Sequence, residues 1–110
     1  MCTSIVEIAH AEGMAKREDE WFPVTHAAVA YDHARHALLA DVITMDFINE
    51  DLPPAARAGV ELTLDSAKAL HAALGKAIAE AEIEEAERAQ SMEQARREAA
   101  ARAAPTRIAA

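Results

Sequence analysis

Apolar and polar residues alternate in four short stretches of this chain and then recur at helical spacing in one long stretch. Over residues 41–48, Ile43, Met45 and Phe47 fall on one face and Thr44 and Asp46 on the other. A period of two marks a half-buried strand. Residues 58–64 repeat the pattern: Ala58, Val60, Leu62 and Leu64 face in, while Gly59, Glu61 and Thr63 face out. Two less regular strands come earlier. In residues 3–10, Val6 and Ile8 share a face with Ile5 opposite; residues 24–32 read as extended, although their alanines favour helix. Pro23 biases Phe22 towards an extended backbone.

Between these lie three connections. Residues 12–20 are polar and read as a loop or a short hairpin excursion. Residues 33–40 read as a helical turn or a long connection. Residues 49–57 contain Pro53 and Pro54, which cannot both donate to a ladder, so they read as a loop. A helix then starts at an N-cap of Asp65 or Ser66, either of which can accept from the first free amides. Leu70, Leu74 and Ile78 recur four apart and form a stripe suited to covering a sheet. One wet face per strand is the pattern of an antiparallel sheet covered on one side. The expected fold is α+β: a four-stranded antiparallel sheet covered on one face by a long C-terminal helix.

Past Ile83 the stripe thins to alanines and Met92. Three Glu-to-Arg pairs at i,i+4 (Glu84–Arg88, Glu93–Arg97, Glu98–Arg102) support the helix, each by roughly 0.2–0.5 kcal/mol. Pro105 ends it. The expected organisation is a compact domain over residues 1–83 and a helical extension with a flexible tail over 84–110. The extension reads as a solvated helix or as a weak self-association helix, since alanines fill coiled-coil core positions poorly.

Composition narrows the function. The chain has 110 residues, the size of one domain. Its compact part, about 80 residues, buries only roughly 60% of its unfolded surface. Self-association is a common remedy, so a homo-oligomer is expected. The net charge of −8 argues against a nucleic-acid backbone and against an anionic membrane surface. Aromatic content of 4% is too low for a base-stacking platform. Cys2 is the single cysteine, which excludes an internal disulfide and suits a reducing compartment. With no spanning-length apolar run and no secretion signal, the cytoplasm is the expected location.

Few residues carry candidate chemistry. Trimming of Met1 would expose Cys2 with an α-amine of pKa about 7.7–8.0 beside a thiol of about 8.5. That pair can chelate a metal, attack an electrophile or condense with an aldehyde; the plainer reading is a small buried hydrophobe. His33 and His36, three residues apart, can meet one metal if the backbone turns there. Asp32 and Asp41 would be further ligands or would fix an imidazole tautomer. Cys2, His33, His36 and Asp41 together suit a divalent metal such as zinc; the plainer reading is a pair of solvated loop histidines. Tyr31 follows Val29 on one strand face and reads as packing, or as an acid if it points into a pocket. His10, His26 and His71 read as surface or boundary residues. Trp21 and Phe22 read as a lid over the core or, if exposed, as a partner surface. No phosphate-cradling glycine loop and no nucleophile elbow occur.

Several segments carry a resemblance. They are Met1-Cys2-Thr3; Trp21-Phe22-Pro23 with Thr25; Tyr31-Asp32-His33 with His36; Asp46-Phe47-Ile48-Asn49; and Val60-Glu61-Leu62-Thr63 through Ser66-Ala67-Lys68-Ala69-Leu70. Together these resemble a small actinobacterial family of unknown function whose members begin Met-Cys-Thr, over residues 1 to about 80. The chain departs from that family's pattern where it carries Ala40 and Asp41 in place of a further histidine, and Glu20 in place of a glycine. The resemblance implies a shared fold and supplies no activity.

Three functions remain on these grounds. The first is a small homo-oligomeric binding or accessory protein. The second is a metal-dependent or N-terminal-cysteine enzyme acting on a small molecule, using Cys2, His33, His36 and Asp41 with Tyr31 as acid. The third is a small structural subunit docking on a larger enzyme.

Overall fold

A computed structural model describes residues 4–52 and 56–103. Cys2, Pro53, Pro54 and Pro105 lie outside the described residues. The elements run β1 (Val6–Arg17), β2 (Glu20–His33), β3 (Asp41–Ile48), β4 (Arg57–Leu62) and α1 (Leu64–Ala103). The strands form one four-stranded sheet in the order β1-β2-β3-β4, every pair antiparallel. The fold is therefore α+β, an antiparallel meander followed by one long helix.

The third strand lies where its alternation places it, over residues 41–48. Of the two readings of residues 12–20, the structure has the hairpin and not the loop. Lys16 pairs with Trp21 and Arg17 with Glu20, so the hairpin turns on Glu18 and Asp19 alone. Glu18 takes a left-handed φ of 54° there, as tight hairpin turns require. Backbone pairing sustains this polar stretch as an edge strand that needs no apolar face. The register shifts between His10 and Gly13, a bulge, and Gly13 has a φ of 156° that side chains disfavour. Residues 34–40 are no helical turn; they form the β2–β3 loop, closed where the Ala34 amide donates to the Ala40 carbonyl at 3.2 Å.

The helix starts earlier than its sequence suggests. Thr63, rather than Asp65 or Ser66, is the cap: its Oγ1 accepts from the Ser66 amide at 3.0 Å. Leu64 consequently belongs to the helix and not to β4. The 40-residue helix runs unbroken past Ile83 and buries none of its residues. Leu70, Leu74 and Ile78 are 44, 55 and 49% exposed. Of the three expected Glu-to-Arg pairs, only Glu93–Arg97 forms, at 3.1 Å, and Glu93 also holds Arg96. Glu98 instead accepts from Gln94 at 3.2 Å. The chain divides into two compact units, and the division falls inside the helix between Leu70 and His71. Among the described residues, no helix is long and apolar enough to cross a membrane.

Register sorts the sheet into two faces. Glu7, Val29, Met45 and Val60 stand in one row, Tyr31, Ile43 and Leu62 in the next, and Ala9, Ala27, Phe47 and Ala58 in a third. This face is apolar across β2, β3 and β4, with Glu7 on it at the β1 edge. The other face carries the rows Val6, Ala30, Thr44, Glu61 and Ile8, Ala28, Asp46, Gly59, apolar on β1 and polar on β3 and β4. Among the described residues, Phe22 and Val42 are the buried apolar side chains, and Val42 is 1% exposed. Val42→Ala removes two packed methyl groups and lowers the unfolding free energy by about 1.5 kcal/mol. Thermal unfolding at fixed protein concentration should show a drop of about 8 °C.

The one buried polar residue among those described is Asn49. Its Nδ2 donates to the Pro23 carbonyl at 2.8 Å, and its Oδ1 accepts from the Asp51 amide at 2.8 Å. Thr25 works beside it. The Thr25 hydroxyl donates to the Ile48 carbonyl at 3.1 Å and accepts from the Glu50 amide at 3.2 Å. Pairing of β2 with β3 ends at His26 and Ile48. These side chains continue the connection past that point.

Candidate functional site

The polar face of the sheet holds a cleft of about 850 Å³. Its floor is made of small residues, Ala30, Thr44 and Gly59. Its walls are charged: Asp32, Asp46, Arg57 and Glu61 from the strands, with Arg35 and His36 from the β2–β3 loop. Gly59 leaves room for its neighbour. A Cβ there would lie 2.6 Å from Asp46 Oδ1, so a side chain at this position would displace the Asp46 carboxylate. Asp46 Oδ1 also stands 4.0 Å from Arg57 Nε.

Glu61 organises the wall opposite. Its carboxylate accepts from three consecutive backbone amides: Arg35 at 2.7 Å, His36 at 2.8 Å and Ala37 at 2.8 Å. Consecutive amides curled around one anion form a nest, here filled by the protein's own side chain. The Arg35 amide, then the Ala37 and His36 amides, hold the Glu61 carboxyl below the ordinary glutamate range; the positive charge of His36 adds to this, and partial desolvation opposes it. A depressed folded pKa means that the clamp stabilises the fold above the unfolded glutamate range and fades as pH falls through the folded value. At neutral pH the three amides should therefore resist hydrogen exchange. In a pH titration followed by amide NMR, their shifts should move together with a midpoint below the ordinary glutamate range. Glu61→Gln should abolish that titration and speed exchange at all three amides. Unchanged exchange would mean that Glu61 does not hold the loop.

The loop's base is pinned as well. His33 Nδ1 lies 3.0 Å from Asp41 Oδ1, and the His33 amide donates to Asp32 Oδ1 at 2.7 Å. His33 and Asp41 are also register partners across β2 and β3. The structure thus brings His33, His36 and Asp32 to one cleft and joins Asp41 to His33. Tyr31 is placed elsewhere. It pairs with Ile43 on the apolar face and does not line the cleft. Cys2 lies outside the described residues. Among the described residues, no three His, Cys, Asp or Glu side chains stand together as a metal ion would need. Trp21 and Phe22 part company: Phe22 is buried and Trp21 is exposed.

Sequence reasoning did not reach Glu61, Asp46, Arg35 and Arg57. One signal was present. A glycine inside a well-alternating strand, here Gly59, marks a close approach from a neighbour, and that neighbour is Asp46.

No curated protein and no solved structure matches the chain. A family model does match, over residues 1–90. A small α+β chain with a meander sheet, a long helix and this charged cleft thus belongs to a family of unknown function, DUF6295.

Proposed function

We propose that this protein is a small homo-oligomeric binding protein that self-associates through the apolar face of its sheet and takes a small polar ligand in the cleft on the opposite face. The observation that carries the reading is the contrast between the faces. Val29, Tyr31, Ile43, Met45, Phe47 and Leu62 are only half-buried, and Val60 is 45% exposed. Among the described residues just two apolar side chains, Phe22 and Val42, are buried. A contiguous apolar face left this open on a small domain marks an association surface. Covering it adds the burial that a core of this size lacks, at about 25 cal/mol per Å² of apolar area.

The cleft supports binding over catalysis. Its carboxylates are engaged by the protein itself, Asp32 and Glu61 on backbone amides and Asp46 towards Arg57. Such groups orient a ligand more readily than they transfer protons. Light scattering on the full chain at micromolar concentration tests the reading. A multiple of 11.8 kDa is expected; a mass of 11.8 kDa overturns it.

A further inference from the structure

We propose that the cleft takes a small amphipathic amine, its ammonium on the Asp46 carboxylate and its apolar body on the shelf that β1 and β2 form alongside. The inference rests on the reading of the cleft as a ligand site and names the chemical class of that ligand. Asp46 is the cleft carboxylate whose demand for a donor is unmet. Asp32 accepts from the His33 amide, and Glu61 accepts from three amides. The Asp46 carboxylate accepts no hydrogen bond among the described residues. Arg57 Nε stands 4.0 Å from it, beyond hydrogen-bond length. The Asp46 side chain is 33% exposed, so a donor from solution can reach it.

Register places an apolar shelf beside that carboxylate. The row that holds Asp46 runs through Ala28 to Ile8, and the next runs from Thr44 through Ala30 to Val6. The two alanines leave a shallow trough between the charge and two branched apolar side chains. Ile8 is 62% exposed and Val6 is 53% exposed. Neighbouring strands lie about 4.8 Å apart, so about 10 Å separates the backbones at Asp46 and Ile8. A ligand matched to this row carries a cation at one end and a hydrocarbon body of about that reach behind it. Thr44 adds a second acceptor: its hydroxyl donates to the Ala30 carbonyl at 3.5 Å, and its oxygen can still accept from an ammonium.

Charge sets the sign of the ligand. The carboxylates of Asp32, Asp46 and Glu61 line the cleft against two guanidiniums, those of Arg35 and Arg57. Its histidines are engaged: His33 Nδ1 lies 3.0 Å from Asp41 Oδ1, and His36 lends its charge to Glu61. The chain as a whole carries −8, and a field of that sign draws cations inward. Arg57 does not block an amine. Its side chain is 54% exposed and makes no hydrogen bond to Asp46, so it can turn into water. An organic acid of the same shape would meet the Asp46 carboxylate and be repelled.

The test is a titration of the isotope-labelled full chain, followed by amide and methyl NMR, with hexylamine, methylamine, hexanol and hexanoate. Hexylamine should shift the Asp46 and Thr44 amides together with the Val6 and Ile8 methyls. It should bind about tenfold more tightly than each of the others, since only it offers both the charge and the apolar body. Asp46→Asn should weaken hexylamine about tenfold and leave hexanol unchanged. Ile8→Ser, at an exposed position, should weaken hexylamine and leave methylamine unchanged. Hexylamine bound no better than hexanol, or equally well by Asp46→Asn, overturns the inference. So do hexylamine shifts confined to Met45 and Val60 on the opposite face. A cleft that answers to hexanoate or to methylamine but not preferentially to hexylamine overturns the amphipathic amine and leaves the cleft a ligand site. A cleft silent to the amines, the acid and the alcohol alike overturns both.

Discussion

Asn49→Ala should cost about 3 kcal/mol of unfolding free energy and lower the melting temperature by about 15 °C at fixed concentration. The effect is large because the side chain is buried and both ends of its amide are in use. Nδ2 serves the Pro23 carbonyl and Oδ1 serves the Asp51 amide. Truncation removes the partner of both backbone groups in part-buried bonds, and a group stranded away from water costs about 1–3 kcal/mol. Thr25 cannot stand in. Its hydroxyl is already committed to Ile48 and Glu50. Asn49→Asp separates the two halves of the effect. It keeps an acceptor for the Asp51 amide but sets a carboxylate against the Pro23 carbonyl, so it should also destabilise strongly. If Asn49→Ala melts within about 2 °C of wild type, Asn49 does not hold this corner.

That corner also explains what the familiar-looking segments do. Trp21-Phe22-Pro23 with Thr25, and Asp46-Phe47-Ile48-Asn49, lie far apart in sequence. In the fold they are tied to each other by Asn49 and Thr25. Tyr31-Asp32-His33 with His36 meets Glu61 of the fourth strand in the same way. Much of the distinctive sequence thus closes the two ends of β2 against its neighbours, which is structural work.

How much was legible follows from which forces leave a local trace. The third strand was readable to its ends because one face is apolar and the other polar, so burial imposes a period of two on the sequence. The second half of β1 was not. It is an edge strand wet on both faces, held by backbone bonds that any side chain permits. The cap was ambiguous for another reason. Thr63, Asp65 and Ser66 can all cap, and only the end of β4 at Leu62 decides between them. In the cleft, His33, His36 and Asp41 were visible by residue type. The partnership of His33 with Asp41 depends on strand register, and that of Glu61 with residues 35–37 on the meander's third crossing. Neither has a sequence signature. For Tyr31 packing and a pocket acid both stayed open, because parity within its own strand does not say which face is polar; the neighbouring strands place it opposite Ile43.

Val60→Glu should leave the chain folded and make it monomeric. The two halves of that outcome come from two different environments of one side chain. In the single chain Val60 is 45% exposed, and a substitution at such a position usually changes stability by no more than about 0.5 kcal/mol. In the proposed assembly the same position lies on the apolar face, on the edge strand β4 beside Met45. A carboxylate buried there without a cation pays desolvation on both copies, and the like charges repel across a two-fold axis. Self-association should therefore weaken by about a hundredfold or more, read by light scattering, while the far-ultraviolet circular dichroism stays that of wild type. An assembly that survives this change would place the interface elsewhere on the chain.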